Sequence, residues 1–430
     1  MREAAVALVA LVLALAPLPA RADETCQSPY LAKIIGQEDF VYVWTLGVEG
    51  LGDGSDKLVT VGANPDRPGY GQVVSAYSVG GRHEAHHGGF TDDRRQFWAG
   101  GLDDSRIFIF DMATDPAHPE LLHRIDDFES VTGGLVGPHT FYALPGRMLI
   151  TGLSNSQDKG GRTGFAEFSN RGEFVRTTWM PDGATYGYDA RVNAHMNRML
   201  TSSFTGHANY MRDLGELMGD AEAMKNFGST MVVWDYHARK PLQILQVPGA
   251  PLEIRWALDP RHDYAFTTAA LTSKLWGVFR KSDGTFEAVE LADIGDPADV
   301  PLPVDISLSA DDSTLFVDSF MDGTVRVFDV REPRQPKLVL EKRIGSQLNM
   351  VSQTWDGERV YFTSSLLSKW DKKGEADEQF LKAYSWDGDD LEPLFTLDFH
   401  ARGLGRPHIM RFGSIDFYRG RVADVSANTR

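Results

Sequence analysis

The chain has 430 residues, with 43 Lys and Arg against 60 Asp and Glu, a formal charge of −17, 42% hydrophobic residues and one cysteine. A chain of this length and apolar content can bury enough surface to fold, which excludes bulk disorder. Its acidic balance leaves no basic stripe to neutralise phosphates, which sets nucleic acid aside as a partner. A lone cysteine excludes a thiolate zinc cluster, an iron–sulfur centre and a dithiol pair, so any metal must be held by His, carboxylate or Met.

Met1-Arg2-Glu3 opens the sequence, an apolar run follows from Ala4 to Ala16, and Ala20-Arg21-Ala22 places small residues where a signal peptidase reads. This pattern predicts a signal peptide over residues 1–22, cleaved after Ala22, a periplasmic location, and a single mature domain over residues 23–430. The run is shorter than the roughly 20 residues that span a bilayer, so no membrane span is expected after cleavage. Cys26 follows the cleavage point without a disulfide partner, and stability must come from packing.

Beyond Cys26 one pattern recurs: a short alternating apolar strand closing on a small or acidic residue, a turn with Pro or Gly, then another apolar strand. The clearest copies are Arg106-Ile107-Phe108-Ile109-Phe110-Asp111 and Val325-Arg326-Val327-Phe328-Asp329, each followed by an acid-Pro-x-x-Pro-x-Leu segment. Weaker copies end at Asp235 and Asp387, and fainter ones lie around Ala76-Tyr77-Ser78, Glu167-Phe168-Ser169 and Val278-Phe279-Arg280. Seven copies at a mean step of roughly 51 residues fit four-stranded blades with loop insertions. The expected fold is all-β, a seven-bladed β-propeller with short helical insertions.

The best amphipathic helix runs from Tyr210 to Met224, with Leu214, Leu217, Met218 and Ala221 on one side, and reads as an insertion between blades. The charge-rich stretch from Asp371 to Glu378 reads as a solvated surface loop. Phosphate loops, Gly-x-Ser-x-Gly elbows and His-Glu-x-x-His helices do not occur, so kinase, dinucleotide, serine-hydrolase and zincin chemistry lack their motifs.

Histidine carries the chemistry. His83, His86 and His87 cluster ahead of Gly88-Gly89, which reads either as an exposed polar loop or as a ligand group. His139 and His408 each follow a proline, in Gly137-Pro138-His139 and Arg406-Pro407-His408, and the fixed proline angle suits a rigid strand start. The innermost strand of each blade lines a propeller's channel, so His86, His87, His139 and His408 can converge although distant in sequence. Imidazoles without thiolate suit Cu(II) or Zn(II), with copper favoured by the affinity order; spacing alone leaves a metal site and a structural role equally open. His118, His123, His237 and His262 read as surface residues. Glu253 and Asp305 lie inside apolar strands where a charge requires a partner, and Arg255 is the obvious one, which makes an internal salt bridge the favoured reading of this group.

These segments together resemble the selenium-binding protein family, whose bacterial branch includes methanethiol oxidase. The resemblance is carried by Tyr70-Gly71-Gln72-Val73-Val74, His86-His87-Gly88-Gly89, Ser105-Arg106-Ile107-Phe108, His139-Thr140, Gly187-Tyr188-Asp189, Val233-Trp234-Asp235, Pro251 to Arg255, Asp305 to Ser309, Asp329 to Leu338, Thr363 to Leu366 with Trp370-Asp371-Lys372, and His408, all in the family's order. It implies a seven-bladed propeller and, for exported bacterial members, a copper-dependent oxidase turning methanethiol, oxygen and water into formaldehyde, hydrogen sulfide and hydrogen peroxide. The family's metal-site histidines fall on His86, His87, His139 and His408. Animal members have a cysteine where this chain has Gly71, a second histidine where it has Phe141-Tyr142, and a Cys pair replaced here around Thr91-Asp92-Asp93. Selenium binding through that first cysteine is therefore not available.

The partners this implies are a small thiol and oxygen; the sequence leaves an oligomer open. Tyr142 and Asp189 are taken, from position alone, as proton relays in catalysis. The rival from another class is a non-catalytic periplasmic propeller that binds copper or docks partners, and an apolar channel beside an open coordination position would separate the two.

Overall fold

A computed structural model describes residues 28–33 and 36–418, so the expected signal peptide, Cys26 and the last 12 residues lie outside the described residues. The described residues form seven four-stranded antiparallel sheets arranged as the blades of a propeller. Counted along the chain, the innermost strands of blades 1 to 6 are Ala85–Phe90, Leu135–Leu144, Ala190–Asn193, Pro251–Trp256, Pro303–Leu308 and Met350–Gln353. The seventh blade closes the ring. Its innermost strand, Arg406–Gly413, comes from the C-terminal end and pairs with Phe40–Leu46 in the register Phe40↔Gly413, Val41↔Phe412 and Val43↔Met410. Closure in this way covers the edges that an open array would expose.

The apolar patterning explains which strand goes where. Inner strands such as Pro251–Trp256 and Pro303–Leu308 are buried along their whole length, whereas outer strands such as Glu120–Ile125 and Lys337–Arg343 are largely exposed. The core is a ring of apolar layers between neighbouring blades. Trp44 is one bolt of that ring: wholly buried in the closing blade, it meets Phe108 and Phe110 of blade 1 with ring centroids 5.6 and 5.9 Å apart, and its Nε1 donates to Gly100 O at 2.9 Å.

Six of the seven sequence repeats mark the third strand of a blade, and their terminal acids have a local job. Asp111 accepts from the amides of Ala113 and Thr114, Asp235 from Ala238, Asp329 from Arg331 and Asp387 from Asp389 and Asp390. Each carboxylate thus satisfies turn amides that the strand can no longer pair. The faint copy at Ala76-Tyr77-Ser78 differs. It lies on the outermost strand, Val73–Ser78, of the closing blade, whose third strand is Lys57–Gly62. The turn after that strand is met by an amide side chain rather than an acid: Asn64 Oδ1 accepts from Asp66 N at 3.0 Å, beside the backbone bonds Gly62 N to Gln72 O and Gly71 N to Gly62 O.

Two local expectations are corrected. The helix expected from Tyr210 to Met224 is broken into His207–Tyr210, Leu214–Met218 and a 3₁₀ turn, Ala223–Asn226, because Asp213 and Asp220 each capture downstream amides and start a new turn. Met218 is exposed, and the insertion joins the second and third strands of blade 3 rather than two blades. The stretch from Asp371 to Glu378 is not a solvated excursion throughout. Asp371 is buried, accepts from Leu366 N and Ser365 Oγ, and with Asp377 pairs the guanidinium of Arg406 on the closing strand.

Removing the Trp44 ring is expected to cost about 3–5 kcal/mol. The measurement is the denaturant midpoint of Trp44→Ala at unchanged slope, against Leu338→Ala on an exposed outer strand, which should move stability by less than about 0.5 kcal/mol.

Candidate metal centre

The four histidines come together. His86 and His87 lie on the inner strand of blade 1, His139 on that of blade 2 and His408 on that of the closing blade, three consecutive positions around the channel. Ring centroids are 3.9 Å apart for His86 and His408, 4.0 Å for His87 and His139, 4.9 Å for His86 and His87, and 5.0 Å for His86 and His139. All four are buried, which overturns the exposed-loop reading of the His83 to His87 segment. His83 itself stands outside the group, with Nδ1 2.6 Å from Asp104 Oδ2.

Each of three rings is pinned at one nitrogen and left without a partner at the other. His408 Nδ1 lies 2.8 Å from Ser365 O and 2.9 Å from the Asn349 side-chain amide, His139 Nδ1 lies 3.3 Å from Thr140 Oγ1, and His86 has the backbone of Leu366 beside it. The nitrogens left over, His408 Nε2, His86 Nδ1 and His139 Nε2, are buried and have no hydrogen-bond partner. A backbone carbonyl on one ring nitrogen fixes the proton there and presents the other as a lone pair, the arrangement metal-binding imidazoles require. Burial, reinforced by the neighbouring rings, holds His86 and His87 well below the usual imidazole range, and burial brings His139 and His408 down to about 3. The group is thus neutral at ordinary pH.

Behind the histidines lies a lattice of buried ion pairs across blades 3 to 5. Arg191 Nε donates to Asp189 Oδ2 at 2.7 Å and its Nη2 to Glu253 Oε2 at 2.8 Å; Arg255 donates to the same Glu253 oxygen at 2.9 Å and to Asp305 Oδ1 at 2.7 Å. Glu253 therefore has the Arg255 partner expected of it. It also does more: its other oxygen, Oε1, is buried without a hydrogen-bond partner and lies 4.0 Å from His87 Nε2. Burial alone would raise this carboxyl, but Arg255 and Arg191 outweigh burial and hold it below the usual carboxylate range. Two triads have ligand atoms within 4.8 Å of one another, His86 with His87 and His408, and His87 with His139 and Glu253. Neutral imidazole nitrogens beside an ionised oxygen and no thiolate form a donor set that fits a divalent d-block cation.

Asp189 and Tyr142 take different positions. Asp189 is one hydroxyl away from the cluster: Thr140 Oγ1 donates to Asp189 Oδ1 at 2.9 Å and lies 3.3 Å from His139 Nδ1. The Tyr142 hydroxyl pairs with the main chain of Val192, and its ring packs with Leu149, Phe165 and Trp234. The tyrosine that meets the histidines is Tyr188, its ring centroid 4.0 Å from that of His139. Sequence reasoning passed over Tyr188 and the second oxygen of Glu253; their only signal was membership of the blocks Gly187-Tyr188-Asp189 and Pro251 to Arg255.

Above His86 opens an apolar chamber walled by Leu102, Tyr188, Phe204, Leu252, Leu366 and Trp370 among others. Of the four histidines His86 forms part of its wall, and no charged side chain lines it among the described residues. The blade 3 insertion supplies Tyr210, whose hydroxyl sits 2.5 Å from where a Cβ on Gly137 would stand, so the insertion seats against the strand that carries His139.

The 56 kDa selenium-binding protein family matches residues 20–417. The chain belongs to this family. It is 58% identical to a methanethiol oxidase of Ruegeria pomeroyi over 416 residues, covering 94% of this chain and 95% of the relative, and 55% identical to a methanethiol oxidase of a Hyphomicrobium species over 410 residues, 94% of each. A crystal structure of a hypothetical selenium-binding protein from Sulfolobus tokodaii shares the fold at a TM-score of 0.79 and 24% identity, over 91% of this chain and 97% of that one. At Gly71, where the resemblance expects a cysteine in animal members, a side chain would not fit. Gly71 has φ +69°, and a Cβ there would come within 2.8 Å of the Phe395 ring, against which Tyr70 stands edge-on at 5.1 Å. No helix among the described residues is long and apolar enough to cross a membrane.

The buried neutral imidazoles predict a sign for stability against pH. An unfolded imidazole takes up its proton near pH 6.5 and the folded His139 and His408 only near 3, so between these values the unfolded chain binds more protons and unfolding becomes easier as pH falls. Each ring contributes about 1.4 kcal/mol per pH unit. In chelator-stripped protein the denaturant midpoint should drop from pH 6.5 to 5, and His408→Gln should flatten that slope by about one proton.

Proposed function

We propose that the chain is an exported, copper-dependent methanethiol oxidase that converts methanethiol, oxygen and water into formaldehyde, hydrogen sulfide and hydrogen peroxide. The observation that carries this reading is the group of partner-free nitrogens on His86, His139 and His408 beneath an apolar chamber, in a chain 58% identical to a methanethiol oxidase. Copper is supported by the donor set, since neutral imidazole with carboxylate and no thiolate follows the affinity order toward Cu(II). Export to the periplasm is supported by the apolar run and the Ala20-Arg21-Ala22 site at the start of the sequence.

Bound copper would supply coordination of the substrate sulfur, lowering the thiol's pKa, and electron exchange with oxygen. The chain's own residues do the rest. Leu252, Leu366, Phe204 and Trp370 take the methyl group out of water and leave the sulfur at the His86 side of the chamber. The backbone carbonyls hold the imidazole tautomers, and Thr140 and Asp189 fix His139 from behind through a hydroxyl that touches both. A binding place for an apolar organic molecule beside the histidines supports turnover over copper storage, because a carrier of ions needs no such chamber.

Protein purified from the exported fraction is expected to take up oxygen with methanethiol and release sulfide and peroxide, and His139→Ala should lose both copper and uptake. Copper without uptake in the wild type would leave only a binding propeller. The chamber wall is apolar and carries no charged side chain, so cysteine and mercaptoacetate should be at least about a hundredfold poorer than methanethiol in kcat/KM because their charges would be buried unpaired.

A further inference from the structure

The four histidines do not form one set. Their ligand atoms divide into two triads that share His87, and the second triad is completed by Glu253. Glu253 comes from the inner strand of blade 4, across the channel from the histidine strands, and both its oxygens are accounted for in different ways. Oε2 receives Arg191 at 2.8 Å and Arg255 at 2.9 Å, which fixes the carboxylate plane against rotation. Oε1 is buried, receives no hydrogen bond and lies 4.0 Å from His87 Nε2. A carboxylate oxygen in that state carries a full desolvation cost, and a fold keeps such an atom only where something else answers it. Arg191 and Arg255 both engage Oε2, and neither donates a hydrogen bond to Oε1. A cation held between His87, His139 and Glu253 answers it directly.

We propose that Glu253 Oε1 is a direct ligand of the metal centre, alongside His87 and His139. The inference rests on reading the histidines as a metal site and is independent of the reaction that site performs. An anionic oxygen added to neutral imidazoles favours the harder, more highly charged state of a redox ion, so Glu253 biases the centre toward Cu(II) over Cu(I). Arg191 and Arg255 are then positioning residues: they hold the carboxylate by one oxygen and leave the other free.

The test uses the full chain, stripped with chelator and reloaded with Cu(II) alone. Glu253→Gln keeps the side-chain size and an oxygen for the arginines but loses the anionic donor; it should bind Cu(II) ten- to a hundredfold more weakly, with an altered copper hyperfine pattern in the electron paramagnetic resonance spectrum. Glu253→Asp, which keeps a carboxylate, should recover part of the affinity. In the wild type, difference infrared spectra should show a carboxylate band displaced on copper loading, and that displacement should be missing from Glu253→Gln. A folded Glu253→Gln with unchanged affinity and spectrum overturns the assignment. Should that variant fail to fold, a wild-type infrared spectrum with no displaced carboxylate band overturns it equally. A wild type that takes up no Cu(II) sinks the metal reading itself, and the ligand with it, whereas copper bound normally without Glu253 sinks the ligand alone.

Discussion

Seven sheets meeting on one axis bring their inner strands where no water reaches, so each charge placed there must be answered by another charge or by a hydrogen bond. The lattice of Asp189, Arg191, Glu253, Arg255 and Asp305 meets this demand across three blades, and Asp305 is further tied in by the amides of Ile306 and Val351, while its own amide donates to Asp318. Removing one member would leave its partner buried and unpaired, a cost of about 3–5 kcal/mol, so the lattice ties the inner strands of three blades to one another. The histidine group is defined by contrast with it. There, on the neighbouring blades, the same burial leaves nitrogens without partners, and the departure from the rule marks the site.

The two halves of the channel therefore differ in kind. One side is charged and, Glu253 Oε1 apart, largely paired within itself; the other is neutral, incompletely satisfied and open to an apolar chamber. The chamber is built largely by loops. Trp370 and Leu366 belong to the segment following the second strand of blade 6, and that segment is held down by Asp371, through Leu366 N and Ser365 Oγ, and by Glu84, whose carboxylate accepts from the Ser368 amide and hydroxyl at 2.6 Å each. Ser365 also supplies the carbonyl that pins His408, and Leu366 the backbone that pins His86. One short loop thus sets both the ring orientations and part of the chamber wall, so coordination and substrate space are coupled through it.

Much of this was legible in the sequence, for a physical reason. Blades repeat the same local task, and a carboxylate that caps the turn after the third strand recurs in four of them, at Asp111, Asp235, Asp329 and Asp387; with the three fainter copies these gave the number of blades. The closing blade broke the pattern because Asn64, an amide rather than an acid, accepts from the turn there. Pro138 and Pro407 announced His139 and His408 as rigidly held. What stayed hidden was contact across blades. Whether Glu253 spends one oxygen or two on arginine, whether Tyr188 or Tyr142 faces the imidazoles, and whether Asp371 is solvated or pairs with Arg406, 35 residues on, depend on neighbours far away in the chain, and no local pattern reports them.

The glycines after the double histidine connect sequence to site most directly. A Cβ on Gly89 would stand 2.3 Å from Phe141 O, and one on Gly88 would stand 2.6 Å from the Phe97 ring and 2.8 Å from Trp98 O. The bare Gly89 lets the inner strand of blade 1 press against that of blade 2, and the bare Gly88 leaves room for Phe97 and Trp98 of its own blade, which is the function of glycine inside a strand where backbones approach closely. That approach is what puts the His87 and His139 rings 4.0 Å apart. The block His86-His87-Gly88-Gly89 is accordingly a single device: two residues supply the imidazoles, Gly88 leaves room for the neighbouring strand of its own blade, and Gly89 supplies the missing volume that lets the strand of His139 come close.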